Sequence, residues 1–314
     1  MSEIQDAQYV WMDGELVPRA DAKLPISSAA VFYATNVFEG LRAYWNDEDE
    51  ELYCFRAQAH FDRLRESMKM MRFSIPYSDE DLYDAVRDVL QGNDSHQDVH
   101  MHMVACVLGS GQDATTPTSL YINPHYRGRM TAPGAGLACC VSNWARTSDN
   151  AIPIRLKCGA NYQNARLALL QAKADGYDSP IFLTQRGKVA EGVGASLFLV
   201  RKGKLITPGT SNDILESITR TTLIEDIMPD VLGLDVIERD VDRTELYVAD
   251  EIFFCGSGYE ITPITSVDRL PVGDGQVGPV TQRVFDTYLA LVRGEDKRYP
   301  QWRTPTYHKV PEAV

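Results

Sequence analysis

The chain has 314 residues, 44% of them hydrophobic and 24% charged, with 31 Lys and Arg against 44 Asp and Glu for a formal net charge of −13. That balance is globular rather than disordered, collagen-like or coiled-coil, and the length suggests about two domains. An acidic chain with no clustered Lys and Arg stripe excludes nucleic acid as the expected partner, because phosphate neutralisation needs such a stripe.

No stretch approaches the roughly 18 consecutive apolar residues that cross a bilayer, so no membrane partner is expected. The start, Met1 to Tyr9, is polar and acidic, unlike a secretory or transit segment. Six scattered cysteines (Cys54, Cys106, Cys139, Cys140, Cys158 and Cys255) include no C-x-x-C pair. They read as reduced, mostly buried thiols of a cytoplasmic protein.

Taken in order, Tyr9–Met12 and Glu15–Val17 flank Asp13-Gly14 as a hairpin. Leu41–Trp45 and Leu52–Phe55 suit strands on either side of the acidic run Asn46–Glu51, which reads as a solvated hairpin tip. Phe61, Leu64, Met68 and Met71 recur at helical spacing, and so do Leu82, Val86, Val89 and Leu90. Val99–Leu108 and Ser119–Ile122 are strand-like. Asn123–Gly136, dense in Pro and Gly, reads as a linker.

Beyond it, Leu137–Val141, Pro180–Thr184, Ser196–Val200, Lys204–Thr207 and Glu251–Cys255 predict strands. Helical patterns cover about Asn164–Asp175, Ile218–Met228 and Val280–Arg293. Strands and helices mix without strict alternation, which predicts an α+β fold rather than a doubly wound sheet. No G-x-G-x-x-G opens a helix after a strand, and neither G-x-S-x-G nor H-E-x-x-H occurs.

His100 and His102 project from the same strand face. Without a third ligand at suitable spacing they read as a polar pair lining a pocket rather than as a metal site. The richest region is 150–220, where Lys157 lies in Ile154-Arg155-Leu156-Lys157-Cys158-Gly159-Ala160-Asn161-Tyr162, ahead of Glu191-Gly192-Val193-Gly194-Ala195-Ser196-Leu197-Phe198.

With Val37-Phe38-Glu39-Gly40-Leu41-Arg42, Ile218-Thr219-Arg220, and Ala249–Phe253 running into Glu260–Ile264, these segments resemble the fold-type IV pyridoxal-phosphate (PLP) enzymes. The likeness is greatest to the branched-chain amino acid aminotransferases, and it covers nearly the whole chain. It implies a two-domain α+β fold. Residues 1–122 would form a small α+β domain, 123–136 an interdomain loop and 137–314 a large PLP-binding domain with a barrel-like sheet. Homodimers or larger homo-oligomers are implied, with the active site near the subunit interface.

The resemblance assigns roles. Lys157 holds PLP as a Schiff base and shuttles the substrate's α-proton. Glu191 keeps the pyridine nitrogen protonated, and Tyr162 hydrogen-bonds the phenolic oxygen. Ile218 and Thr219, at a helix start that Ser217 caps, take the phosphate with Arg63 and Ser257. The turn at Ser257 and Gly258 receives the substrate carboxylate. Tyr33 and Phe38 belong to the substrate pocket.

The chain departs from that family in having Ser196 for Asn and Ser217 for Gly. More consequentially, it has His100 and His102 where branched-chain enzymes carry Tyr-x-Arg, the arginine that clamps the side-chain carboxylate of glutamate. A neutral imidazole makes no charged bidentate bond, so the resemblance implies weak glutamate use unless Arg127 or Arg129 substitutes. The expected substrates are amino acids, hydrophobic or branched first, and 2-oxo acids. The alternatives are a D-amino acid or (R)-amine transaminase, which lacks its usual Thr-Arg-Gly strand here, a lyase of the aminodeoxychorismate type, and a non-enzymatic binding protein.

Overall fold

Val, Phe, Tyr and Trp crowd 36–46, and valines recur through 99–107. Both segments are long strands in the computed structural model, which describes residues 4–126 and 135–308. These residues pack as two units. One comprises 4–126, 156–160 and 290–308, and the other 135–155 and 161–289.

The first unit contains β1 (Gln5–Asp6), β2 (Tyr9–Met12), β3 (Glu15–Pro18), α1 (Ala29–Phe32), β4 (Asn36–Asn46), β5 (Glu51–Phe55), α2 (Ala57–Met71), α3 (Asp79–Gly92), β6 (Val99–Val107) and β7 (Thr118–Tyr126). Its described strands form one sheet, ordered β5-β4-β6-β7-β2-β3, with β1 against β7 and the strand Arg303–Pro305 beyond β5. Strand period sends Val37, Leu41 and Ala43 to one face with Met101, Met103 and Ala105. There they pack on Phe61, Leu64 and Met68 of α2 and Leu82, Val86 and Val89 of α3. Ser78 caps α3 reciprocally with Asp81: the Asp81 N–H donates to Ser78 Oγ and the Ser78 N–H to Asp81 Oδ2.

The opposite face carries Phe38, Gly40 and Arg42 beside His100 and His102. The register pairs Arg42 with His100, His100 with His125, and His102 with Asn123. Strand β7 therefore runs four residues past the strand end expected from sequence, into the expected linker. Pro124 is tolerated because it turns its missing N–H toward the short β1 side, where its carbonyl accepts from Ala7 N at 3.3 Å and Arg19 Nη2 at 2.8 Å. Arg127 and Arg129 lie outside the described residues.

The second unit contains β8 (Leu137–Val141), α4 (Asn161–Ala174), β9 (Ser179–Ile181), β10 (Ser196–Arg201), β11 (Lys204–Thr207), α5 (Ile218–Thr222), β12 (Val236–Glu238), β13 (Glu251–Gly256), β14 (Glu260–Val267), β15 (Leu270–Pro271) and the start of α6 (Pro279–Arg293). Its described sheet is ordered β12-β11-β10-β13-β14-β8-β9, with β15 on β14. After α5 the helix continues as a wide π-helical coil over Leu223–Leu232 with Pro229 inside it, longer than the apolar pattern predicts. No described helix is long and apolar enough to cross a membrane. All six cysteines are free, five of them buried.

The acidic run corrects one expectation. Asp47, Glu48 and Glu50 are exposed, but Glu51 is 2% exposed. Its carboxylate accepts from the N–H groups of Leu52, Thr306, Tyr307 and His308 at 2.8–2.9 Å. Burial of this charge is repaid by those backbone donors, which pin the C-terminal segment to β5. Replacing Glu51 by Ala leaves four backbone donors without their acceptor, three of them on buried or half-buried residues. Urea unfolding should show a loss of about 3 kcal/mol, with amide exchange accelerated at Thr306–His308. An unchanged midpoint would contradict that role.

Candidate active site

Lys157 is placed by β4. Residues 156–160 lie along the open edge of the strand's first half, with Val37 and Cys158 bridged in antiparallel fashion. The Phe38 N–H donates to the Lys157 carbonyl at 2.9 Å, and the Lys157 N–H donates to Ser67 Oγ on α2 at 3.3 Å. The Gly159 N–H donates to Asn36 Oδ1 at 3.1 Å, and a Cβ at Gly159 would stand 2.8 Å from that oxygen. The Lys157 backbone is thus fixed from both sides, and its Nζ lies 4.7 Å from the centre of the Phe38 ring.

Phe38 in turn meets His102 edge-on, with ring centres 6.0 Å apart. His100 and His102 are 5.0 Å apart, and His125 stands 4.9 Å and 5.0 Å from them, so the expected pair is a cluster of three imidazoles. Gly40 leaves room for it: a Cβ there would come within 3.0 Å of His100 Nε2. Among the described residues no group of three or more His, Cys, Asp or Glu is arranged to hold a metal. Tyr33 follows α1 on an exposed stretch with Ile26, Val31 and Phe32.

On the helix-facing side of β4, Glu39 is fully buried. Arg63 grips it with Nε to Oε1 at 2.8 Å and Nη2 to Oε2 at 2.6 Å, and His60 Nδ1 lies 2.8 Å from Oε2. Burial alone would raise the Glu39 carboxyl. The Arg63 charge and the hydrogen bonds from Arg63 and His60 overcome it and hold the group at about 2 instead of 4.5. Burial depresses His60, against the pull of Glu39, so the imidazole is neutral at pH 7.

In the second unit a turn-back of the chain presents Glu191. The Phe182 N–H donates to the Glu191 carbonyl at 2.8 Å and the Ala190 N–H to the Phe182 carbonyl at 2.9 Å. The buried Glu191 carboxylate accepts from Arg146 Nε at 2.9 Å and Leu215 N–H at 3.3 Å. Gly192 is required because a Cβ would sit 2.6 Å from the Phe254 ring, and Gly194 adopts φ +71° beside the Tyr162 ring. Gly256 backs onto the Gly194 carbonyl, which brings this loop to the half-buried Ser257–Gly258 turn.

Ser217 caps α5, its Oγ accepting from Arg220 N–H at 3.3 Å. Thr219 is buried and Ile218 half-buried. Arg220 anchors the helix on the Pro208 carbonyl at 2.8 Å and on Glu238. Ser196 Oγ is buried and has no hydrogen-bond partner among the described residues.

The first unit thus brings together Lys157, Phe38, His102 and His100, and separately joins Arg63 to Glu39. The second brings together Tyr162, the Glu191–Ala195 loop, Ser257 and Gly258. Sequence reasoning missed His125, which lay inside the expected linker, and Arg146, a lone arginine after a strand with no pattern around it. It quoted Glu39 only as a neighbour of Phe38 and gave His60 no role.

Residues 36–267 match the family model for amino-transferase class IV, and the chain belongs to that family. It is 36% identical over 307 residues to a probable branched-chain-amino-acid aminotransferase of Aquifex aeolicus, covering 96% of this chain and 97% of that one. The PLP form of a branched-chain amino acid aminotransferase from Thermobaculum terrenum superposes with a TM-score of 0.89 at 39% identity, over 97% of this chain and 100% of that one. A branched-chain aminotransferase from Thermoproteus uzoniensis, solved with norvaline, gives a TM-score of 0.89 at 37% identity, over 96% of this chain and 100% of that one.

Glu39 makes acid stability a readout of its network. A depressed folded-state value stabilises the protein fully above pH 4.5 and is lost as pH falls toward 2. Glu39→Gln should cost about 3 kcal/mol at pH 7, and the gap to wild type should close between pH 4.5 and 2. Urea melts across that range check it, and a gap independent of pH would count against it.

Proposed function

We propose that this protein is a PLP-dependent aminotransferase, moving an amino group between an amino acid with a hydrophobic or branched side chain and a 2-oxo acid. The observation that carries the reading is Lys157, a lysine with its backbone fixed on β4 and α2 and its amine over an aromatic ring, within a chain of the class IV family. The residues fit the cofactor chemically: an amine for its aldehyde, a buried carboxylate for its ring nitrogen, and a capped helix start with a buried threonine for its phosphate. PLP supplies an electron sink for the substrate's α-carbon.

Lys157 holds the cofactor covalently through Nζ and carries the proton to and from the α-carbon. Glu191 would hold the ring nitrogen and Tyr162 the phenolic oxygen of the cofactor. Ile218 and Thr219, with Arg63 and Ser257, take the phosphate, and Glu39 fixes the Arg63 fork in the orientation it needs. The Ser257–Gly258 turn receives the substrate carboxylate. Phe38, His100 and His102 line the side-chain pocket with Tyr33, and Arg127 is the candidate substitute for the arginine that His102 replaces. The exposed apolar run Ile26, Val31, Phe32 and Tyr33 supports assembly as a homodimer or larger, and six free thiols support a cytoplasmic setting.

Two experiments test this reading. Borohydride reduction of PLP-loaded protein and peptide mapping should place the pyridoxyl label on Lys157; a label on Lys173 or Lys188 would reject the assignment. For the pocket, His102→Arg should raise kcat/KM for glutamate by about tenfold or more, the scale of one charge-assisted contact, with little change for leucine. A wild type that already favours glutamate, and keeps doing so without Arg127 and Arg129, would refute the pocket assignment.

A further inference from the structure

Glu191 is 3% exposed and Arg146 8% exposed, so their contact at 2.9 Å is a buried ion pair. Arg146 is itself built in. Its N–H donates to the Leu183 carbonyl at 2.8 Å, its Nη1 to Asn164 Oδ1 at 3.3 Å, and its guanidinium carbon lies 5.8 Å from the centre of the Phe182 ring. Asn164, on the first turn of α4, is locked by donating from Nδ2 to the Ala145 carbonyl at 3.1 Å and accepting from Thr147 N–H. The arginine is therefore held by a helix, a strand connection and the aromatic ring beneath it.

We propose that Arg146, set by Asn164, is a positioning residue that aims Glu191 and decides which side of the Glu191–cofactor hydrogen bond carries the proton. The inference rests on the PLP reading above. Two arrangements compete: carboxylate against protonated ring nitrogen, or carboxylic acid against neutral nitrogen. Only the first has a negative end, and that end lies against Arg146, so the guanidinium favours it. A buried carboxylate stripped of its cation takes up a proton instead. Arg146 thus holds the cofactor in its electron-withdrawing form without touching it.

The test compares Arg146→Gln, Arg146→Lys and Asn164→Ala in protein loaded with PLP labelled by ¹⁵N in its ring. Arg146→Gln should move the ring-nitrogen resonance toward the unprotonated position. It should lower kcat at least about tenfold, one unit of proton affinity, with donor KM nearly unchanged. Arg146→Lys should restore most of both, and Asn164→Ala should fall between. In the cofactor-free protein, Arg146→Gln should gain a protonated-carboxyl infrared band that Glu191→Gln abolishes.

Activity lost with the ring-nitrogen resonance in its wild-type place would overturn the proposal, leaving Arg146 a packing residue. If Arg146→Gln does not fold, the resonance and kcat of Asn164→Ala decide between the same two outcomes. Failure of the wild type to bind PLP would reject the functional reading instead, while the infrared comparison would still decide whether Arg146 sets the Glu191 charge.

Discussion

The backbone hydrogen bond from the Phe38 N–H to the Lys157 carbonyl joins two stretches far apart in sequence and makes one unit of them. Residues 156–160 belong to the packing of β4, while the residues on either side of them belong to the other unit. The lysine is therefore placed by a strand edge, by Ser67 on α2 and by the close approach of Gly159 to Asn36. Backbone fixation leaves only the four-carbon stem to move, which suits the role proposed for this amine.

In each unit a buried carboxylate is gripped by an arginine: Glu39 by Arg63, and Glu191 by Arg146. Exchanging a whole buried ion pair of this kind for apolar residues of similar volume often costs little stability, whereas removing one partner leaves the other charge buried alone. What such pairs provide is fixed charge at fixed positions. Glu39 sits on the helix-facing side of β4 and turns Arg63 of α2 by a bidentate contact. Glu191 sits on a turn-back whose geometry Gly192 and Gly194 permit. The two glycines of that motif have separate causes, a ring in the way at one and a left-handed φ at the other.

Elements with strong periodicity were legible from residues alone. The stripes of α2 and α3 and the Asp13-Gly14 hairpin formed where the pattern placed them, because burial of one face decides both helix phase and strand register. Legibility failed where a local rule met a tertiary compensation. Pro124 and its neighbours read as loop, yet β7 absorbs the proline by turning it to a two-residue neighbour. Glu51 read as solvated, yet four N–H groups converge on it, three of them from the C-terminal segment. Most site residues came from motif resemblance, not from periodicity, since a lone Lys, Glu or Arg has no pattern of its own.

The missed strand extension matters most for the sheet face that carries Phe38. Once β7 reaches Tyr126, His125 falls opposite His100, and the face that carries Phe38 presents three imidazoles in mutual contact. Gly40 and these rings are interdependent, because His100 Nε2 occupies the space where a side chain at position 40 would begin. An imidazole offers a flat apolar surface and an N–H in one group, without the permanent charge of a guanidinium. Such rings, one aromatic ring removed from the Lys157 amine, offer a largely apolar surface, and Arg42, on the same face and paired in register with His100, stands beside them. The make-up of that face is therefore set by the register of β4, β6 and β7: a slip of one residue in any of them would turn its part of the face to the helix-facing core.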